Sequence, residues 1–468
     1  MSMPTGTAGS AAALNPQRRE PCKTSVGCLG GKQSDTFSVR ACLFFDGTTN
    51  NRENVQARLD KTKEYKHHAG DRSYESDFSN IHKLEKYWDD QFAATLADIV
   101  FSIYIEGIGT TNKKADHFRG MALGYGATGV ENKVKKGIDA IVTEIIGRTT
   151  GKGKNIKFIH LDVYGFSRGA AAARHFVYAA LIDPETRLRA KLEKLEYIIV
   201  GRIQVKFVGL FDTVASYGID HSNDTEELHL NMMGAAEKVI QLAAADEHRV
   251  NFPLTNIDSA ANGSQVFLPG GHSDIGGGYT EGSGEEDWHI LCFLSNIHYT
   301  GHVIDDTEEI DRLAREQSRL IASGWYRQAE IEQHRERIDK GIYWHHLIVT
   351  RRNISNQYSN IPLQIMANRS AAHEVHFREM LAIDHPIPAG LSDVKAIIDD
   401  YVAQHVSGNA VSQASDWIDK MDKTHKRLRH DYLHFTACYH ADLANSNRPR
   451  FKDNDSVKAV REREVFDG

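Results

Sequence analysis

Five short apolar segments, each stopping abruptly at a turn of small or polar residues, constrain the fold of this chain more than any other feature. They occupy residues 38–48, 101–110, 156–165, 202–212 and 264–274. The apolar part of each segment is nearly continuous, as in Ala41 to Phe45 ahead of Asp46-Gly47-Thr48. Such runs are typical of strands that are buried on both faces.

Helical sequence separates these predicted strands. Between the second and third, apolar residues recur at three- and four-residue spacing: Val130, Val134, Ile138, Ile141 and Ile145. Alternation of buried strands with amphipathic helices predicts an α/β fold, with a mostly parallel sheet flanked by helices on both faces.

The ends of the chain and its last third differ in texture from this core. Residues 1–36 are rich in small residues and predict a flexible tail. We expect one elaborated domain over 37–450, in which a core at 37–285 precedes a mainly helical region at 286–450. The charged, helix-compatible stretches 307–341 and 391–406 suggest that region, and a short C-terminal tail follows at 451–468.

Composition narrows the classes of partner and compartment. The chain has 56 Lys and Arg against 63 Asp and Glu, and it contains no dense basic run, so nucleic acid is not expected as a partner. Its five cysteines are scattered, which favours folding in a reducing cytosol over a zinc site or a disulfide scaffold. We see neither a secretory signal nor a membrane span, so export would need a route without a cleaved signal.

The third predicted strand leads into Gly165-Phe166-Ser167-Arg168-Gly169, and an alanine-rich helix follows. Gly-X-Ser-X-Gly alone is weak evidence, but a strand before it and a helix after it are the setting of a nucleophilic serine on a strained turn. The Arg168 backbone N–H would then lie at the positive end of the helix dipole, where an oxyanion forms. The second oxyanion donor is expected from the turn after the first strand, as the amide of Gly47 or Thr48.

A serine nucleophile needs a histidine base that is oriented by a carboxylate. Asp212 ends the fourth predicted strand and His272 follows the fifth. Since catalytic groups of open α/β sheets collect at the carboxyl ends of strands, Ser167, Asp212 and His272 are predicted to converge as a hydrolase triad.

Several alternatives remain open at this level. Asp46 and Asp274 are interpreted as turn aspartates that bond backbone amides, or as supporting groups near the site, or as ligands of a hard cation; no metal or cofactor is expected. The glycines around His272 also suggest a phosphate-binding loop, but the Lys-Ser/Thr ending of such loops is missing.

Two other classes of function compete with a hydrolase. The FDGTT stretch (45–49) is similar to a phosphoryl-transfer motif of the haloacid dehalogenase type, yet Phe44 stands where its nucleophilic aspartate would be. A catalytically idle binding module is the remaining alternative, which an ordered serine, acid and base argue against.

Taken together, six stretches resemble the alpha/beta-hydrolase-type catalytic domain of the first class of type VI secretion lipase effectors. These are LFFDGTTNN (43–51), YGFSRGAAAAR (164–174), GLFDTVASYG (209–218), ADEHRVNFPL (245–254), LPGGHSDIGGGY (268–279) and QYSNIPLQIM (357–366). The resemblance covers most of residues 38 to 445, in the order of the family.

The resemblance implies an antibacterial phospholipase A that is made in the cytosol and delivered into a rival's periplasm. A spike or tube protein would carry it and a cognate immunity protein would neutralise it in the producer. It also implies Ser167 as nucleophile, Asp212 as acid and His272 as base. His434 and His440 are rival candidates for the base, and a serine esterase of the same fold that is not a toxin is the alternative function.

Overall fold

The computed structural model describes residues 36–117, 126, 128–150, 153–215, 225–296, 307–339, 342–407, 411–418, 420, 422–439, 447–451 and 461–468. Within this part of the chain, Thr36–Gly468 forms one unit. The predicted flexible tail lies, apart from its last residue, outside the described residues, and so does His440.

A parallel sheet forms the centre of the fold. Its strands are β1 (Thr36–Phe45), β2 (Ile99–Ile105), β3 (Asn155–Phe166), β4 (Ile198–Ile199), β5 (Ile203–Phe211), β6 (Val239–Ala244) and β8 (Gly263–Leu268), and the short strand β7 (Leu254–Thr255) lies outside it. The order is β2-β1-β3-β5-β6-β8, with β4 paired to β3. Every pair in it runs parallel, as predicted.

Helices cover both faces of this sheet. The helices among the described residues, including those that lie away from this sheet, are α1 (Arg52–Leu59), α2 (Lys63–His68), α3 (Arg72–Glu75), α4 (Asn80–Tyr87), α5 (Asp90–Ala93), α6 (Val130–Thr149), α7 (Arg168–Leu181), α8 (Leu188–Glu193), α9 (His272–Gly276), α10 (Thr307–Ala322), α11 (Asn360–Ala371), α12 (Met380–Asp384), α13 (Ser392–Ser407), α14 (Ser415–Ile418) and α15 (Lys423–Tyr432). Alternate residues of β1 enter two different cores: Leu43 and Phe45 join helices α6 and α7, while Cys42 and Phe44 join α4 and α11. Because both faces are buried, the strand sequences are apolar throughout.

The strand order reverses direction between β1 and β3. The chain proceeds from β1 to β2 on one side and then to β3, β5, β6 and β8 on the other. Ligands of open α/β sheets bind outside the carboxyl ends of the strands at such a point. The turn after β1 and the turn after β3, which hold Thr48 and Ser167, meet there.

The region 286–450, predicted to be mainly helical, also contains a sheet that the sequence did not predict. A second, antiparallel sheet has the order β10-β11-β9 and consists of β9 (Ser283–Asn296), β10 (Ile331–Asp339) and β11 (Ile342–Ile354). The predicted helical stretch 307–341 is helix α10 only as far as Ala322, and Gly324 follows with φ +86°, a backbone conformation that ends helices. The charged residues of β10 then pair with β11, so tertiary pairing overrides their helical propensity.

The last eight residues of the predicted C-terminal tail at 451–468 pack against the rest of the domain. Strand β12 (Val465–Phe466) pairs parallel with β7. Two arginines precede this strand. Arg461 is only 8% exposed, and the side chain of Arg463 is only 4% exposed. We call residues 461–468 the C-terminal strap.

Candidate active site

Ser167 lies on a sharp turn between β3 and α7. Its backbone has φ +60° and ψ −130°, which is strained for a residue with a side chain, and the residue is only 5% exposed. Strain of this kind at a strand-to-helix turn is typical of a nucleophile elbow.

The flanking glycines allow this turn because the backbone approaches itself closely. A Cβ atom on Gly165 would lie 2.4 Å from the carbonyl oxygen of Gly169, and one on Gly169 would lie 2.2 Å from that of Asp46. No side chain fits at either position, so the Gly-X-Ser-X-Gly spacing is a steric requirement of the turn after β1 meeting the start of α7.

Asp212 lies beside Ser167 at the same edge of the sheet. Phe166 of β3 is in register with Phe211 of β5, and the Ser167 N–H donates to the Phe211 carbonyl at 3.0 Å. Asp212 therefore follows β5 as Ser167 follows β3. Asp212 also has a positive φ of 47° and is fully buried.

His272 reaches Asp212 from the first turn of α9, after β8. Its Nδ1 atom donates to Oδ2 of Asp212 at 2.5 Å. The imidazole ring contacts the ring of Phe166 at 4.6 Å between centroids, and that of Phe252 at 5.0 Å. The structure thus joins Asp212 directly to His272 and places the residue before Ser167 against the imidazole.

Burial holds the pKa of His272 below its ordinary value of 6.5, although the hydrogen bond and charge of Asp212 partly oppose that effect. The imidazole is therefore neutral at neutral pH, which is the form that accepts a proton. With Nδ1 engaged by the carboxylate, Nε2 is the nitrogen available for that proton.

Asp212 accepts hydrogen bonds on both oxygens. The Ala244 N–H donates to Oδ1 at 2.8 Å, and the Arg463 guanidinium binds both oxygens, at 2.6 Å to Oδ1 and 2.9 Å to Oδ2. Burial alone would raise the pKa of Asp212, but the charge of Arg463 and the hydrogen bond from His272 outweigh it and leave the pKa below 3.8. Sequence reasoning missed Arg463, because nothing local in the strap marks it.

A second buried carboxylate supports the backbone of His272. Glu247 accepts the His272 N–H at 3.2 Å and pairs with the Arg249 guanidinium at 2.8 Å. Burial opposes ionisation, yet the Arg249 charge holds the Glu247 pKa far below its usual range. Both residues come from the stretch 245–254, which the sequence marked only through its family resemblance.

Asp46 is committed to the turn after β1. Its carboxylate accepts from the Gly47 N–H at 2.8 Å, from Ser79 Oγ at 2.5 Å and from the Tyr104 hydroxyl at 2.6 Å. Burial raises its pKa to about 6 despite these bonds. The interpretation as a turn aspartate therefore agrees with its contacts.

The other two residues of this turn were candidates for an oxyanion donor. The Gly47 amide donates to Asp46, as described above. The Thr48 hydroxyl accepts from Nε of Arg168 at 2.8 Å, which ties the turn to the first residue of α7. Arg168 and Thr48 are thus in contact through their side chains, and the Gly47 N–H is already engaged by Asp46.

Asp274 belongs to a separate hydrogen-bonded chain. Its Oδ1 lies 2.8 Å from Nδ1 of His434, whose Nε2 lies 2.9 Å from Oγ of Ser283, and its Oδ2 accepts the Gly271 N–H at 2.9 Å. Hence Asp274 orients the loop that carries His272, and His434, a rival base by sequence, is paired with another serine.

Two alternatives receive little support from the geometry. Within the described ranges no group of three or more His, Cys, Asp or Glu side chains is arranged to hold a metal ion. Phe44, at the position of the missing phosphoryl-transfer nucleophile, is fully buried and stacks on Tyr164 at 5.1 Å.

Helices in the part of the chain that the structure describes are too short or too polar to cross a membrane.

Comparison with known proteins shows what this chain is similar to. Residues 184–298, which include Asp212 and His272, match the family described as "T6SS, Phospholipase effector Tle1-like, catalytic domain". A solved structure described as "Structure of the Tle1 effector bound to the VgrG spike from the Type 6 secretion system" superposes with a TM-score of 0.64 at 20% identity, covering 92% of this chain and 94% of that one. A crystal structure of an uncharacterized protein from Pseudomonas aeruginosa has a TM-score of 0.45 at 16% identity, over 81% of this chain and 52% of that one. No curated protein matches this chain significantly.

Proposed function

We propose that the chain is a Tle1-like phospholipase effector of the type VI secretion system and that it cleaves carboxylic esters of membrane glycerophospholipids through Ser167, Asp212 and His272. The observation that carries this proposal is the 2.5 Å contact between His272 Nδ1 and Asp212, beside a serine with φ +60°. Acid, base and strained serine follow three strands of one sheet in the chain order of α/β hydrolases.

In the first step, the neutral His272 removes the Ser167 proton through Nε2 as Oγ attacks the ester carbonyl. Asp212 stabilises the imidazolium that forms, and its own proton count does not change. The imidazolium then protonates the departing lysophospholipid oxygen, which leaves an acyl-serine. Water attacks that ester with His272 again as base, and the imidazolium then protonates the departing Ser167 Oγ as the fatty acid is released.

The oxyanion of each tetrahedral intermediate would be held by two backbone amides. The Arg168 amide belongs to the first residue of α7, at the positive end of the helix dipole. For the second donor we favour the Thr48 amide over that of Gly47, since the Gly47 N–H already donates to Asp46. Such donors act on charge that develops only in the transition state.

Delivery and partners follow from the family and remain part of the proposal. A solved relative of the same fold is described as bound to the VgrG spike, so we propose a spike protein as carrier of this chain. Membrane phospholipid of a rival bacterium, reached in its periplasm, would be the substrate, and an immunity protein would protect the producer. An esterase of this fold without a toxic role is the alternative.

One observation favours a second candidate nucleophile. Ser283, His434 and Asp274 are hydrogen-bonded in the order of a triad. Ser283 begins a strand, however, so it has neither the strained backbone nor the helix N-terminus that serve Ser167. We therefore place the chemistry at Ser167.

Turnover of phospholipid tests the proposal. Purified wild-type, Ser167→Ala and Ser283→Ala proteins are incubated with phospholipids labelled separately on each acyl chain, and released fatty acid is measured. Release of fatty acid by the wild-type and Ser283→Ala proteins, but not by Ser167→Ala, supports Ser167 as the nucleophile. Loss with Ser283→Ala but not with Ser167→Ala transfers the reaction to the second chain, and release by none of the proteins favours a binding module.

A further inference from the structure

We propose that Arg463, delivered by the C-terminal strap, is a positioning residue for the reaction, which holds the Asp212 carboxylate in the orientation that directs His272. This inference rests on the proposed function of Ser167, Asp212 and His272. It assigns a role to a segment that the sequence presents only as a tail.

The contact between Arg463 and Asp212 is a two-pronged, buried ion pair. Nη1 donates to Oδ1 at 2.6 Å and Nη2 donates to Oδ2 at 2.9 Å, while the side chains are 4% and 0% exposed. A planar guanidinium that engages both oxygens fixes the plane of the carboxylate as well as its position. Oδ2, which also accepts from His272 Nδ1, is thereby fixed toward the imidazole.

The guanidinium is itself held by backbone carbonyls. Nε donates to the Phe252 carbonyl at 3.0 Å, and Nη1 also donates to the Ala244 carbonyl at 3.2 Å. Ala244 donates its own N–H to Asp212, and the Phe252 ring contacts His272. Arg463 therefore connects three elements that surround the acid and base.

The strap is anchored on both sides of Arg463. Before it, Arg461 is paired with buried Glu316 and donates to the Ile290 carbonyl at 2.9 Å. After it, the Leu254 N–H donates to the Glu464 carbonyl at 2.8 Å, and the Asn256 N–H donates to the Phe466 carbonyl at 2.9 Å. The position of Arg463 is thus set by backbone pairing with β7 and does not depend on its own ion pair alone.

Stability alone is a poor explanation for this arrangement. A buried ion pair is often replaced by apolar residues at no loss of stability, because desolvation cancels its Coulomb gain. An additional cation on the acid of a triad also lowers its basicity. Orientation is what a guanidinium fork adds here, and misplacing a catalytic group slightly can cost a large factor in rate.

Arg463 shares its surroundings with other charges, and these set the expected pH behaviour. His272 faces Asp212, Glu247 and Arg249, and Asp212 faces His272 and Arg463. Removing Arg463 takes away a cation, so protonation of both Asp212 and His272 becomes easier. The acidic limb of kcat/KM should therefore move to higher pH.

The test compares full-length wild-type, Arg463→Met, Arg463→Lys and Arg450→Ala proteins on phospholipid vesicles, with kcat and KM measured from mildly acidic to mildly alkaline pH. Arg450→Ala is the matched control: it breaks the 2.8 Å pair with Glu464 in the same strap and leaves Asp212 untouched. For Arg463→Met we expect kcat to fall about 10- to 100-fold with KM little changed, and the acidic limb to shift upward. Arg463→Lys keeps the charge but loses the two-pronged contact, so its kcat should lie between those of wild type and Arg463→Met. Arg450→Ala should behave as wild type.

Each result bears on the inference. Wild-type kcat and an unmoved acidic limb in Arg463→Met overturn it, as does an equal loss of kcat in Arg450→Ala, which would mean that the strap is only structural. If Arg463→Met does not fold by circular dichroism, Arg463→Lys decides by kcat alone, because it keeps the cation: a wild-type kcat in Arg463→Lys then overturns the inference. A Ser167→Ala protein that stays active refutes the proposed function instead, so the two failures are distinguishable.

Discussion

His272 and Asp212 are separated by 60 positions in the chain, yet Nδ1 of the imidazole lies 2.5 Å from Oδ2 of the carboxylate. The contact exists because β5 and β8 run parallel and end at the same edge of the sheet, with β6 between them. It fixes which nitrogen of the imidazole carries the proton, since a carboxylate can only accept. Everything proposed for the reaction depends on that tautomer.

Asp212→Asn tests the tautomer. An amide at this position can present its NH₂ to Nδ1 and stabilise the opposite tautomer, which removes the base. We expect kcat to fall by about 10⁴, as for the equivalent change in other triads, with the fold retained by circular dichroism. A loss below tenfold would show that Asp212 does not direct His272.

Gly169→Ala tests the close approach behind the elbow. The new Cβ atom would lie 2.2 Å from the Asp46 carbonyl oxygen, so the turn after β1 and helix α7 must separate. We expect a loss of about 3 kcal/mol in the free energy of unfolding, measured with urea, because a clash with backbone relaxes less easily than a clash with a side chain. Esterase activity should disappear with it.

Gly147→Ala is the matched control for that change. Gly147 lies in a helix as Gly169 does, but it is exposed, and nothing lies within 4 Å of its added Cβ atom. We expect the free energy of unfolding to rise by up to about 1 kcal/mol, since alanine is the better helix former. Equal destabilisation by both substitutions would refute the steric account.

The pH dependence follows from the direction of the His272 shift. Only neutral imidazole accepts the serine proton, so kcat/KM rises with pH through the pKa of His272. Burial lowers that pKa below 6.5, and we expect the acidic limb to have its midpoint below this value. A midpoint clearly above it, from initial rates across pH, would contradict a buried His272 as the base.

Substitutions of His272 and His434 distinguish the Ser167 site from the hydrogen-bonded chain of Ser283, His434 and Asp274. His272→Ala should lower kcat by at least about 10³, whereas His434→Ala should stay within tenfold of wild type, because His434 bonds Ser283 and Asp274. Initial rates with a soluble short-chain ester measure both without a membrane. The reverse order of effects would move the base to His434.

Much of this arrangement could be predicted from local sequence. Apolar runs that stop at polar turns predict the parallel strands. The glycines around Ser167 indicate a close approach of the backbone that only glycine allows. The contact of Asp212 with His272 followed from strand order, and the fold class is confirmed. These features share a short-range signal.

The remainder depends on long-range pairing. Arg463 lies 251 positions from Asp212, and its segment has no hydrophobic pattern that would mark it as ordered. The charged strand β10 has the composition of a helix and becomes a strand only through β11. Glu247 accepts the backbone N–H of His272 from 25 positions away in the chain. Partners of this kind are invisible until the fold brings them together.

The central claim is that Ser167 forms the acyl-enzyme, and covalent labelling tests it most directly. The wild-type protein is treated with a fluorophosphonate, which adds to activated serines, and digested peptides are read by mass spectrometry. We predict one adduct, on Ser167, that is absent from Ser167→Ala and His272→Ala proteins. An adduct on Ser283, or an unlabelled Ser167 in protein that hydrolyses phospholipid, would contradict the account.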